Sequence, residues 1–399
     1  MKRFLGGLMA ATMLVSAAQL VSAEQADEAV DAAIAALPEV LKAQYEGAPQ
    51  VILAGPLTDF TPAAKPYRWC HSESYQGNPW RVSVTNELRR LVDGLIAEGV
   101  VSEFEVSDSN GDVGQQINQI RAFIDKGCGI ITSIPGSATG LDEAVDAAFA
   151  AGIPFVTAAG SVTSANAVNV DSNYTRWGYE MMAAIGKALP EGGNVLIVEG
   201  IAGHPIVAQE RAGADAALAE YPGLKVSRVV NGDWTANVTK TVVLQTLATN
   251  PAPIDAVWSA GSESRVIAEA FAEAGRPLPL ITGSITGDAL GYWKENPEGY
   301  RFEGHAVLPH WTAQTLFRVG ARIMDGQKPT VNTIMIPLPP VHEADLANWY
   351  QPCMTPDAVS VFPVPPVDPI AEEALDAYFS NPAASPGWDY AAAPGACAD

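Results

Sequence analysis

Strand-length apolar runs alternate with amphipathic helical stretches twice over along this chain, and few architectures accommodate such a series. The first series opens with a strand over residues 67–72. A helix follows from Trp80, in which Trp80, Val84, Leu88, Leu91 and Leu95 recur at spacings of three and four. A strand near 104–106, a helix carrying Val113, Ile117, Ile120 and Ile124, a strand over 129–134, a helix over 141–151 and a strand over 153–158 complete it. The second series reads helix 177–189, strand 194–199, helix 207–220, strand 226–230, helix 238–249, strand 256–259, helix 264–274 and strand 280–282. Each series spells a parallel sheet covered on both faces, so the expected fold class is α/β with two lobes, each a doubly wound, mostly parallel sheet. A further strand over 302–307 and a helix over 312–324 come after the second series. If they serve different lobes, the chain crosses several times and the crossings form a hinge. Ligands of open parallel sheets sit beyond the carboxyl ends of the strands, so two facing lobes pool their loops into one cleft.

The start of the chain has Lys2 and Arg3, an apolar run from Phe4 to Leu20, then Val21-Ser22-Ala23, the pattern of a cleaved export leader. The expected organisation is a signal peptide over 1–23, an N-terminal extension over 24–66, a first lobe from 67–160 joined by 308–333, a second lobe over 161–307, and a C-terminal strand and Pro-rich tail over 334–399. A net charge of -22 argues against nucleic acid or an anionic lipid surface as partner. Export permits disulfides among Cys70, Cys128, Cys353 and Cys397. Cys353 to Cys397 is the favoured bridge, because Cys70 falls late in one strand and Cys128 at the start of another, at different heights.

Six short pieces then stand in a telling order: Asn78-Pro79-Trp80, Gln115-Gln116-Ile117-Asn118-Gln119-Ile120, Ala151-Gly152-Ile153-Pro154-Phe155-Val156-Thr157, Val198-Glu199-Gly200-Ile201-Ala202-Gly203-His204-Pro205, Gln209-Glu210-Arg211 and Asn231-Gly232-Asp233-Trp234. In that order the chain resembles the sugar-type periplasmic solute-binding proteins of ABC importers, the ribose- and galactose-binding class with a type I fold, over roughly residues 67–329. The resemblance implies an exported periplasmic monomer that closes on a small-molecule ligand and hands it to a membrane permease, without cofactor, metal or catalysis. An exported sensing module for a membrane receptor is the rival with the same fold.

By the same resemblance Asn78 and Trp80 match positions that bond to and stack on a sugar, Arg211 an arginine that donates to ligand oxygens, and Trp234 a second stacking aromatic; for Arg211 the alternative partner is a carboxylate such as Glu199. His71, at the end of the first strand, His204, ahead of a helix, and Ser262, after a strand of the second lobe, complete the expected ligand-binding set. The departures from the family pattern are Ala159-Gly160 where Asp-Arg is usual, Ala260-Gly261-Ser262 where Asn-Asp is usual, Ser284 or Ile285 near the usual Asp, and Val307 near the usual Gln. Loss of those hydroxyl partners argues against a standard pyranose and for a less hydroxylated, flatter or partly apolar ligand, since a buried hydroxyl without a partner costs about 1 to 3 kcal/mol. His305, His310 and Trp311 are further candidates for the cleft. As for catalysis, the sequence holds no Gly-x-Ser-x-Gly elbow, P-loop or His-Glu-x-x-His.

Overall fold

The computed structural model describes residues 27–364, 370, 372–383 and 397; the expected leader lies outside them. The first series folds into strands β1 (Tyr67–Glu73), β2 (Val101–Asp108), β3 (Ile130–Ile134), β4 (Phe155–Ala158) and β5 (Ala167–Asp171). The second gives β6 (Gly193–Glu199), β7 (Leu224–Asn231), β8 (Ala256–Ser259), β9 (Leu280–Ser284) and β10 (Arg301–His305), after which the chain adds β11 (Thr333–Met335) and β12 (Pro340–Val341). Two six-stranded sheets result, ordered β2-β1-β3-β4-β5-β11 and β7-β6-β8-β9-β10-β12. Every neighbour pair is parallel except β10 with β12. Strands β3, β4 and β5 are buried along their whole length, as expected of a sheet covered on both faces.

Three differences from the sequence reading have physical reasons. Residues 161–307 do not all belong to the second lobe: β5 pairs with β4 and completes the first sheet. Asn169 on β5 holds it there, its Oδ1 accepting from Thr157 Oγ1 at 2.8 Å and from Val162 N at 3.0 Å. The helix after β5 starts at Tyr174, earlier than expected, because the Asn173 side chain caps it by accepting from Arg176 N. Besides the favoured Cys353–Cys397 bridge, Cys70 is bonded to Cys128. Cys128 N donates to Phe123 O in the turn that closes helix Val113–Asp125, Gly129 N donates to Arg68 O, and the two cysteine Cα atoms lie 6.0 Å apart.

The backbone passes between the sheets after β5, after β10 and after β11. These crossings are bonded to one another: Ile336 N donates to Asp171 O, Ser172 Oγ to Ile336 O, and Ala306 N to Pro339 O. The N-terminal extension braces the same place. Gln50 Nε2 donates to Asp171 Oδ2, Asn173 Nδ2 to the carbonyls of Gln44 and Glu46, and Tyr45 OH to Thr333 O. The tail spans both lobes, its Val361 O accepting from Gly287 N and its Tyr378 O from Thr330 N. No helix among the described residues is long and apolar enough to cross a membrane.

Candidate functional site

Between the lobes, beyond the carboxyl ends of both sheets, lies a cavity of about 280 Å³. The first lobe supplies Tyr75, Asn78, Trp80, Arg81 and Ala159, and the second supplies Glu210, Trp234, Ser262, Glu263 and Arg265. Tyr174 and Trp177 enter from the helix that follows the first crossing, and Val359 and Phe362 of the tail close one side. No group of His, Cys, Asp and Glu side chains among the described residues is arranged to hold a metal ion.

Trp80 stands in the first turn of helix Pro79–Ala97, whose Pro at the first position and Asn78 cap fix where it starts. Its indole Nε1 donates to Val307 O at 2.9 Å, tying the first-lobe helix to the crossing after β10. Asn78 serves the fold as well as the wall, its Oδ1 accepting from Arg81 N and its Nδ2 donating to Tyr75 OH. Opposite, Asp233 and Trp234 both adopt left-handed backbone, with φ of 55° and 49°. That conformation costs a non-glycine residue about 1 to 2 kcal/mol and is held only where surroundings enforce it. Here Gly200 leaves room for the ring: a Cβ at that position would sit 2.1 Å from Trp234 Cε2. His204 meets the same indole edge to face at 5.0 Å between centroids.

Four of the seven expected residues, Asn78, Trp80, Trp234 and Ser262, therefore line one cavity. The other three do not line it. His71 is fully buried in β1, its Nδ1 at 2.9 Å from Thr132 Oγ1 and its Nε2 at 3.3 Å from Glu73 Oε1. The strand runs on to Glu73, so His71 is two residues short of the loop. Arg211 is bound on its own surface, Nη1 to Glu199 Oε1 at 3.1 Å and Nε to Asp215 Oδ1 at 2.8 Å. His204 caps helix Pro205–Glu220 through Nδ1 and faces a neighbouring recess with Gln209, and burial first, then the Arg81 charge, pushes its imidazole down to about 4. His305, His310 and Trp311 also lie outside the cavity wall. His305 bonds Glu180 at the hinge, and Trp311 is buried in the hydrophobic core.

Of the loop positions where the sequence departs from the family pattern, Ala159, Ala260, Gly261, Ser262, Ser284 and Val307 border the cavity, whereas Gly160 lines the neighbouring recess and Ile285 lines neither. The acidic and basic lining of the cavity was not among the expected residues. Arg81 is buried and donates to Ser74 Oγ at 2.8 Å and Glu73 Oε2 at 3.3 Å, while Arg265 pairs with Asp288 at 2.8 Å and with Glu269. Burial, with Asp288 adding to it, pushes the Glu263 carboxyl up to about 8. Burial, then the Glu199 and Glu263 charges, hold the Glu210 carboxyl well above the usual carboxylate range. Only Glu210 had a usable signal, standing between Gln209 and Arg211 in a piece already singled out.

Two facing open sheets with an aromatic cleft at the carboxyl ends of their strands define a two-lobed binding fold. Residues 72–297, more than half of the chain, match the model of the periplasmic binding protein domain, and the chain belongs to that family. A curated relative, a xylitol-binding protein of Mycolicibacterium smegmatis, is 26% identical over 178 residues, 44% of this chain; the chain spans about half the length of that relative, 51%. Solved structures share the fold. A solute-binding protein of an ABC transporter from Thermobispora bispora matches with a TM-score of 0.66 at 23% identity, covering 72% of this chain and 90% of that one. One from Mycobacterium smegmatis with bound glycerol gives 0.64 at 20%, covering 72% and 98%. One from Bacillus halodurans with bound myo-inositol gives 0.64 at 19%, covering 72% and 98%.

Proposed function

We propose that this protein is a periplasmic solute-binding protein that captures a small molecule of sugar or polyol size between its lobes and delivers it to the permease of an ABC importer, acting as a monomer and without catalysis. The observation that carries this reading is a cavity whose walls include Trp80 from one lobe and Trp234 from the other. Aromatic faces suit the C–H surface of a polyol or a flat ring. A guest touching both walls stabilises the closed arrangement by its differential contacts, and the closed arrangement is what a permease would recognise. Family membership and relatives named for xylitol, glycerol and myo-inositol support a guest of this size.

A melting-shift screen of sugars, polyols, cyclitols, nucleosides and small aromatic acids tests it, because a ligand that binds only the folded form raises its stability by mass action. With any compound that shifts the wild type, Trp234→Ala is expected to weaken binding ten-fold or more. Arg211→Ala, outside the cavity, is expected to keep the response. A full response in Trp234→Ala would overturn the assignment.

A further inference from the structure

We propose that the compound this cleft is built to take is a small organic cation, an ammonium or protonated amine on a polyol-sized scaffold, held by Glu210 and Glu263 between the tryptophan walls. The inference deepens the capture reading and rests on it. Glu210 is only 1% exposed, yet neither of its carboxyl oxygens has a hydrogen-bond partner among the described residues. The Trp177 indole N–H in the same wall is also without one. Leaving such groups buried and unmatched costs about 1 to 3 kcal/mol each, more for a charge, which a complementary guest removes.

Nearby guanidinium groups do not supply the match. Arg81 is engaged by Glu73 and Ser74, Arg265 by Asp288 and Glu269, and Arg211, on the helix of Glu210, by Glu199 and Asp215. Glu210 and Glu263 are the cavity carboxyls without a guanidinium partner among the described residues, Glu263 accepting instead from the backbone N–H groups of Ser262 and Glu263. Trp80, Trp177 and Trp234 line the same cavity, and aromatic faces attract a desolvated cation by about 2 kcal/mol.

The groups facing Glu210 set how its proton behaves. Glu199 at the end of β6 and Glu263 ahead of helix Ser264–Glu273 raise its affinity for the proton, and Tyr174 on the crossing helix feels the Glu210 charge in turn. Arg81, whose charge Tyr174 and His204 sense, lines the first-lobe side of the same cavity. Glu263, whose carboxyl is pushed up to about 8, therefore keeps its proton in the empty cleft at pH 6, and a cation that enters displaces it to the buffer.

Calorimetric titration of the mature protein at pH 6, in two buffers of different ionisation heat, tests this with matched probes: xylitol against 1-amino-1-deoxyxylitol, glucose against glucosamine, and 3,3-dimethylbutanol against choline. The expected result is a cationic member that binds at least ten-fold more tightly than its neutral partner, with proton release, and a preference that Glu210→Gln reduces at least ten-fold. Should Glu210→Gln not fold, Glu263→Gln carries the same comparison. Equal or tighter binding of the neutral members overturns the inference and leaves the capture reading standing. Binding by no probe overturns the inference as well, and the capture reading falls with it only if the wider neutral screen also leaves the melting temperature unmoved.

Discussion

Gly178→Ala is expected to destabilise the protein by about 3 kcal/mol or more, read by chemical denaturation. Helix Tyr174–Ala188 crosses helix Pro205–Glu220 so closely that a Cβ on Gly178 would lie 1.9 Å from Glu210 O and 2.7 Å from its carbonyl carbon. The obstacle is backbone, so no rotamer change relieves it, and the helices must part. The same contact sets Trp177 beside Glu210 in the cavity wall, so the substitution is expected to weaken ligand response along with stability. A variant as stable as the wild type would show that the two helices do not touch here.

Glu263→Gln is expected to change stability in a pH-dependent way. In the folded chain the Glu263 carboxyl is pushed up to about 8 from its ordinary 4.5, so the folded state keeps a proton that the unfolded chain releases. The stability this gives the wild type is complete below pH 4.5 and is lost as pH rises towards 8. Glutamine does not titrate. The variant should therefore gain on the wild type between pH 5 and 8, by up to about 1.4 kcal/mol per pH unit. His204, His305 and His310, whose imidazoles burial pushes down, act in the opposite sense below their ordinary range, but they do so in both proteins and cancel in the difference. A difference flat from pH 5 to 8 would show that Glu263 is not a protonated wall residue.

The two sheets were legible because parallel strands buried on both faces leave apolar runs, as in 195–198 of β6 and 256–258 of β8, separated by helices of clear period. Strand Ala167–Asp171 escaped because its Asn169 and Asp171 read as polar loop, whereas both are buried and bonded within the hinge region. Its omission misplaced the lobe boundary. The order of family pieces brought out Trp80, Trp234 and Ser262, but not which neighbours share their space. His71 looked like a loop residue because strand ends cannot be read to within two positions. For Arg211 the sequence left two partners open, the ligand or a carboxylate such as Glu199, and only the packing decides for Glu199, at 3.1 Å. Glu210 and Glu263 were overlooked because a carboxylate on a helix or loop ordinarily faces water, and only the packing of distant segments shows that these two do not.

The most direct test is the structure of the mature protein crystallised with the tightest-binding compound from the screens. The account predicts that the compound lies between Trp80 and Trp234, enclosed by both lobes and within hydrogen-bond reach of Glu210 or Glu263. A compound seated instead in the recess beside Glu180, His305 and His342, or on the outside of a lobe, would contradict it.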